Sequence, residues 1–375
     1  MLRFCGAKRA VGLDIGTTLI KVVEISKTKR ATEIVRAGIH PTPEGAVADG
    51  SVLDPPNVAF AVKEAMRAAG IRATEVYAAI AGDDVVVRHV TFPRMPKEEL
   101  AQAVKWEAGA YIPYAAKDAS IDYQVVGPVP HFPDKLEVMI VAAPKKLVES
   151  HVRTLQLAGL YPLALDIQPV TLDRIFRGAS SGGSGFYADI GGGTTDLAYT
   201  EHGVLRFTRI VGIGGNDFTA AVAEATGRSS SWAESAKREH RVSKSPGPPG
   251  VGVSPAPGDG VQGDAESDVV GRALARVAAR LALEIRRSID YCEAQARTRL
   301  GEDARITSVI LTGGGSKLAG LGEFLEKSVS VRIISGDPLR NPSPARAPRL
   351  SDVLAEHGPS LSVAIGLALR GVEES

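Results

Sequence analysis

The sequence predicts an α/β protein of two similar lobes that close on a polyphosphate. Two observations carry this. The stretch Val11 to Lys21, VGLDIGTTLIK, is an apolar run, a tight turn at Gly16-Thr17-Thr18 and a second apolar run, which reads as strand, turn, strand. The same device recurs at Tyr187 to Thr200, YADIGGGTTDLAYT, where Asp189 precedes a Gly191-Gly192-Gly193-Thr194-Thr195 turn. Consecutive amides in such a turn form a concave anion site. An aspartate at each strand end, Asp14 and Asp189, suits Mg²⁺ directly or through water, because hard cations prefer oxygen. A single Gly-Thr turn is ordinarily only a turn; its repetition with the aspartate in place makes a clamp with two jaws.

At 375 residues, 44% of them apolar, the chain can bury a large core and divides into two or more domains. Its 44 basic and 43 acidic residues give a formal charge of +1, which supplies no field to attract nucleic acid. The two cysteines, Cys5 and Cys292, are far apart and outside any CxxC pattern, as expected of unbridged thiols in a reducing cytosol. The start, MLRFCGAKRA, is too short and polar for a signal peptide. No apolar run approaches the roughly 20 residues that span a bilayer, so membrane association is expected only through a partner. The seven histidines lack metal-ligand spacing, which argues against zinc.

The elements follow in order. Thr32 to Ile39 alternates as a third strand. Asn57 to Ala69 places Val58, Ala61, Val62, Ala65 and Met66 at helical spacing and stops at Gly70. Val76 to Ala81 and Val85 to Phe92 read as strands. Pro93 to Pro96 stiffens the entry to a helix over Lys97 to Tyr111, whose Glu98 and Glu99 complement the helix dipole. Its apolar stripe is Leu100, Ala103, Val104 and Ala108; Trp106, off the stripe, is expected to pack within its own subdomain. Ile121 to Val126 and Glu137 to Ala142 are strands, and Pro144 to Ala158 is a helix ended by Gly159. Leu163 to Ile167 returns as a strand, and Gln168-Pro169 opens a helix to Phe176. ASSGGSG, 179 to 185, reads as a flexible joint before the second hairpin.

After Val204 to Ile210, a third strand of the second hairpin, a Gly212 to Gly215 turn leads into a helix capped by Asn216 or Asp217. Ser231 to His240 is a short helix. Ser243 to Gly263 is dominated by Pro and Gly and reads as a surface loop. Val269 to Leu300 is a long amphipathic helix. Ile306 to Leu311 is a strand feeding Gly313-Gly314-Gly315-Ser316, followed by a helix over Leu318 to Ser328 and a strand over Val329 to Ile334. Pro338 to Pro348 is expected to be irregular, and Ser360 to Leu369 a small-residue helix.

Five pieces then converge on one nucleotide. Gly16, Thr17, Thr18 and Lys21 face Gly191, Gly192, Gly193, Thr194 and Thr195 across the phosphates. Asp14 and Asp189 place the metal and its waters. The turn at Gly313, Gly314, Gly315 and Ser316 lets a base and ribose approach the backbone. Glu234 and Lys237, one helical turn apart, suit ribose or base hydrogen bonds. Gln168, at a helix start, can orient a water toward a terminal phosphate. Each piece alone has a bland explanation: a lone GGG is commonly a loop, and an isolated E-x-x-K pair is commonly a solvated one. Their conjunction, with the Asp-turn duplicated, is what points to a nucleotide.

That order of motifs resembles the actin-like ATPase superfamily. DIGTT with Lys21 is similar to its first phosphate motif, ADIGGGTTD to its second and ILTGGGSKL to its adenosine motif. WAESAKRE is similar to its adenosine-contacting Glu and Lys, here Glu234 and Lys237, and LDIQPVTL to its connecting helix, with Gln168 at the water-orienting position. The segments FPRMPKEELAQAVKWEAGAYIPY, IDYQVV and VMIVAAPKKLVESHVRTLQLAGLYPLALDI, with LEIRRSIDYCEAQ and IGLALR, resemble the PilM family of type IV pilus assembly over nearly the whole chain.

The resemblance implies two duplicated ribonuclease-H-like lobes with an FtsA-type inserted subdomain in the first, and ATP with Mg²⁺ as ligands. The catalytic positions would be Gln168 and Asp189. It further implies a groove between the first lobe and the insert that binds the N-terminal cytoplasmic tail of a PilN-like inner-membrane protein. Other pilus motor components and self-association are left open.

The expected boundaries are residues 1–74 with 158–183 for the first lobe and 75–157 for the insert. Residues 184–217 with 301–375 form the second lobe, and 218–300 a small adenosine-side subdomain. Two departures stand out: the Pro/Gly loop lies outside the family pattern, and FtsA's C-terminal amphipathic membrane helix has no counterpart after Arg370. The expected function is a cytoplasmic adaptor with slow ATPase activity at most. A small-molecule kinase of the same fold and a filament-forming cytoskeletal protein are the competing readings.

Overall fold

The computed structural model describes residues 7–129, 131–177, 183–243, 262–300, 305–345 and 347–374. Cys5 and most of the Pro/Gly loop lie outside the described residues.

The first hairpin is β1 (Lys8–Ile15) and β2 (Leu19–Lys27), in antiparallel register with Asp14 opposite Lys21. β3 (Thr32–Pro41) continues the meander. A two-residue pair, β4 (Val47–Ala48) and β5 (Ser51–Val52), leads to α1 (Pro55–Ala69). Asp54 caps α1 by accepting from the Asn57 amide, and Gly70 ends it. β6 (Glu75–Ile80) pairs parallel with β1.

The chain then leaves this sheet. β7 (Val86–Pro93), α2 (Lys97–Glu107), β8 (Ala119–Val129) and β9 (Phe132–Pro144) build a separate three-stranded sheet, ordered β7-β9-β8. Val90, Phe92, Leu100, Val104, Val138 and Ile140 form its own core. α3 (Lys145–Leu157) and β10 (Tyr161–Ile167) return to the first sheet, and α4 (Gln168–Phe176) leads toward the second.

The second lobe repeats the meander with β11 (Ser184–Ile190), β12 (Thr195–Glu201) and β13 (Val204–Val211). Next come α5 (Gly215–Thr226), α6 (Ser230–Glu239), α7 (Gln262–Leu300), β14 (Ser308–Thr312), α8 (Leu321–Val329) and β15 (Arg332–Ser335). The order of this sheet is β13-β12-β11-β14-β15. The chain ends with β16 (Ser343–Pro344), α9 (Pro348–His357) and α10 (Ser362–Glu374). The first sheet is ordered β10-β6-β1-β2-β3-β16.

The structure moves three of the expected boundaries. β6 is not part of the insert: it lies inside the first sheet between β10 and β1, with Val76 and Ala78 buried. α3 packs on α1 and β10, so the separate sheet with α2 spans 86–144. The C-terminal segment is not part of the second lobe's sheet, because β16 pairs with β3 and α10 packs on β1, β2 and α4. α10 is buried from Ser362 to Leu369, and a helix apolar on all sides must lie between layers. Its close seat needs Gly12, where a Cβ would come within 2.0 Å of the Ala364 carbonyl oxygen. One core cluster accordingly joins Ile365 and Leu367 of α10 with Leu172 of α4 and with Tyr187, Ala198 and Ile310 of the second sheet.

Two further expectations change. Trp106 is 90% exposed rather than packed within the insert, since α2 turns its buried side, Leu100 and Val104, away from it. The stretch 338–348, expected to be irregular, contains the edge strand β16 and enters the helix α9. Cys292 is free and buried, and burial pushes its thiol pKa up. Among the described residues no group of three His, Cys, Asp or Glu side chains could hold a metal by itself.

Candidate functional site

The two lobes meet at their hairpin turns. A Cβ placed on Gly192 would come within 2.5 Å of the Thr18 side chain, and one on Gly193 within 3.2 Å of Thr17 Oγ1. Only glycine lets the turns approach this closely. Gly16 donates its amide to the Leu19 carbonyl at 3.0 Å, and Gly191 donates to Thr194 at 2.8 Å, so both turns are closed by the same bond. The second turn is backed by the Gly214-Gly215 segment, where Gly215 and Asn216 donate to the Gly191 and Gly192 carbonyls at 2.9 and 2.8 Å.

Below the turns the hairpins differ. Lys21 Nζ lies 2.5 Å from Asp14 Oδ2, and Gln168 Nε2 donates to Asp14 Oδ1 at 3.2 Å. Asp14, only 2% exposed, is therefore fully compensated. In the second hairpin the residue opposite Asp189 is another acid, Asp196. Burial pushes the Asp189 carboxyl up to about 7, with Lys21 opposing and Asp14 reinforcing the shift. Burial pushes Asp196 up to about 8, reinforced by Asp189, Asp14 and Asp83. Asp196 Oδ1 is buried with no hydrogen-bond partner. A buried oxygen beside further carboxylates is the donor set a hard cation or its waters would satisfy.

Asp14, Lys21, Gln168, Asp189 and Asp196 line one cavity with Gly16, Thr17 and Thr18 of the first turn and Gly191, Gly192, Gly193 and Thr194 of the second. Gly313 and Gly314 close it. An adjoining cavity of about 870 Å³ shares Thr18, Gly191, Gly192 and Gly314, and adds Gly315, Glu234 and Lys237. Lys237 Nζ bonds Glu234 Oε2 at 2.6 Å, the Thr219 hydroxyl at 2.9 Å and the Gly215 carbonyl at 3.0 Å. Against the pull of burial, the hydrogen bonds from Lys237 and Thr219 hold the Glu234 carboxyl below the usual carboxylate range. The volume suits a nucleoside, and the smaller cavity beneath the turns suits its phosphates.

Two expected site residues are placed elsewhere. Thr195 is fully buried and gives its hydroxyl to the Ile213 carbonyl at 2.6 Å, so it fastens the second turn from behind. Ser316 bonds the Gly313 carbonyl at 2.7 Å and lines a separate hollow under α8. The sequence reading missed Asp196, although it stands within ADIGGGTTD at the position that Lys21 holds in the first copy. It also missed Asn216, Thr219, Lys317 and His357 around the larger cavity, for which no local pattern gives a signal.

A family model described as type IV pilus assembly protein PilM matches residues 12–246. The chain belongs to that family. The solved PilM-PilN type IV pilus biogenesis complex is 27% identical, with 97% of this chain and 98% of that one covered at a TM-score of 0.78. A second model, for the cell division protein FtsA, matches residues 187–366. FtsA of Pseudomonas aeruginosa is 26% identical over 398 residues, covering 98% of this chain and 90% of FtsA. The ethanolamine utilization protein EutJ from Carboxydothermus hydrogenoformans, 17% identical with 96% of this chain and 89% of EutJ covered at a TM-score of 0.54, shares the fold. This PilM-family chain thus has the actin-like ATPase fold. No helix among its described residues is long and apolar enough to cross a membrane.

Proposed function

We propose that the cleft binds ATP with Mg²⁺ and that the chain is a cytoplasmic adaptor of the type IV pilus inner-membrane assembly complex. Its nucleotide state would control the binding of the N-terminal tail of a PilN-like protein in the groove between the first lobe and the insert. The observation that carries the reading is the direct contact of the duplicated turns, Gly192 on Thr18, over facing acidic residues and beside a nucleoside-sized cavity.

The remaining turn amides, of Thr17 and Thr18 and of Gly192 to Thr194, would hold the phosphate oxygens, and Lys21 supplies the positive charge. Asp189 and Asp196 would supply the one or two carboxylates that Mg²⁺ takes, waters would fill the rest of its shell, and Asp14, paired with Lys21, would reach it only through water. When bound, the ion neutralises phosphate charge. Glu234 and Lys237 hold the nucleoside end. Gln168, fixed on Asp14, orients a water and has no basic group of its own, which fits slow turnover at most.

The test is titration of the full chain with a synthetic PilN N-terminal peptide, with and without ATP and Mg²⁺. Binding that responds to nucleotide supports the adaptor. Peptide binding that ignores nucleotide, or none with ATP and Mg²⁺ present, overturns it.

A further inference from the structure

Two adjacent strands of the second sheet run from the cleft to the insert. β12 holds Asp196 at its cleft end and Glu201 at the other; β13 holds Ile210 in the cleft and Leu205 and Arg206 at the other end. Five residue steps of strand lead from Asp196 to Glu201, a span of ~17 Å.

At the far end, charged side chains from three parts of the fold meet. His89 of β7 places Nε2 2.6 Å from the Leu205 carbonyl of β13 and Nδ1 3.1 Å from Glu137 Oε1 of β9. Glu137 also accepts from Arg206 of β13. Glu201 accepts from Arg299 at the end of α7 and from the Tyr199 hydroxyl. His89, Glu137, Arg206 and Glu201 are each less than one-fifth exposed, so water screens them poorly. The His89 hydrogen bond, opposed by burial and aided by the Arg206 charge, holds the Glu137 carboxyl down at about 2. Removing one member of such a cluster leaves a buried charge uncompensated. The cluster is also incomplete: Arg206 Nε is buried without a hydrogen-bond partner and stands 3.6 Å from Glu201 Oε2.

The insert is thereby held at two places. Its chain joins the first lobe at both ends, through residues 81–85, where Gly82 and Asp83 line the cleft, and from Pro144 directly into α3. Its sheet grips the second lobe through His89 and Glu137. A change in the angle between the lobes cannot leave both attachments unstrained.

We propose that the His89–Glu137–Arg206–Glu201 cluster is a latch that makes the insert follow the second lobe, and so carries nucleotide state from the cleft to the partner-binding insert. This rests on the ATP-dependent reading above, and the experiment separates the two. Amide hydrogen exchange is followed in β7 and β9 of the full chain with and without ATP and Mg²⁺, while calorimetry measures nucleotide affinity in the same samples. In the unaltered chain, nucleotide should change exchange there by ~5-fold or more, the range of ordinary site-to-site coupling. Arg206→Met and Glu137→Gln should keep nucleotide affinity and lose the change. The conservative Arg206→Lys, which keeps the charge facing Glu137 and Glu201, should keep part of the change, and it serves as the read-out if the other variants fold poorly. A change that survives in Arg206→Met and Glu137→Gln, or that is lost in Arg206→Lys as fully as in Arg206→Met, overturns the latch alone. An unaltered chain that binds nucleotide with no change in β7 and β9 also overturns it alone. No nucleotide binding by the unaltered chain overturns both proposals.

Discussion

The two hairpins that face each other across the cleft are copies in backbone and opposites in charge. In the first, the residue opposite Asp14 is Lys21, and the buried acid is neutralised within its own hairpin. In the second, the residue opposite Asp189 is Asp196, and both carboxyls are pushed up by burial, Asp189 with help from Asp14 and Asp196 with help from Asp189 and Asp14. One copy is a finished ion pair; the other holds two facing acids, with Asp196 Oδ1 buried and without a hydrogen-bond partner. The duplication thus supplies the shape of the clamp, and the charge reversal at a single position divides the labour between its jaws.

The comparison can be broken most directly at Lys21. Lys21→Ala leaves Asp14 uncompensated at 2% exposure, so it should destabilise the chain by ~3–5 kcal/mol as well as weaken ATP binding. Denaturant unfolding that matches the unaltered chain would show that the first hairpin does not depend on its pair. Asp189→Ala should act on the other side of the contrast: magnesium-dependent ATP affinity falls by ~100-fold, roughly 3 kcal/mol, while the unliganded chain remains folded. Unchanged affinity by calorimetry would remove the second jaw from the scheme.

The pH dependence sharpens the same point. Asp189 and Asp196 have folded pKa values raised above 3.8, to about 7 and about 8. The folded state therefore binds more protons, and their ionisation lowers the stability of the unliganded chain progressively from pH ~4 to pH ~8. Asp196→Asn should remove part of this loss, raising the unliganded melting temperature at pH 8 by ~2–4 °C per kcal/mol gained. Mg²⁺ should stabilise the unaltered chain more at pH 8 than at pH 6. A melting temperature indifferent to pH and to magnesium would count against magnesium binding at the two facing acids. The smallest effect belongs to Gln168, which has only one bond to Asp14. Gln168→Ala should cost about 1 kcal/mol of stability, leave nucleotide affinity nearly unchanged and abolish what turnover there is.

Much of this was legible before any coordinates, and the failures have a common cause. The hairpins, α1, α4 and the helical stripe of α2 follow from periodicity and from stop residues such as Gly70, which act within a few positions of the chain. The spacing of Thr195 fits a phosphate turn, and Ser316 ends a glycine run that a base and ribose could approach. A hydroxyl takes whichever acceptor is nearest, however, and for Thr195 that is the Ile213 carbonyl on a neighbouring segment. Asp196 shows the converse: its strand position is plain, but nothing nearby in sequence tells that its buried Oδ1 finds no hydrogen-bond partner.

What the chain alone determined is therefore the repeated strand-turn-strand device, the glycines of the two facing turns and the α/β pattern of the segment between the two hairpins, because these depend on local geometry and side-chain periodicity. Only the tertiary structure decided that α10 packs between the first sheet and α4, that β6 belongs to the first sheet, and that His89 and Glu137 reach the Leu205–Arg206 strand across the lobes. Those outcomes depend on which apolar faces and which buried charges find each other across long stretches of chain, and no window of sequence contains both partners.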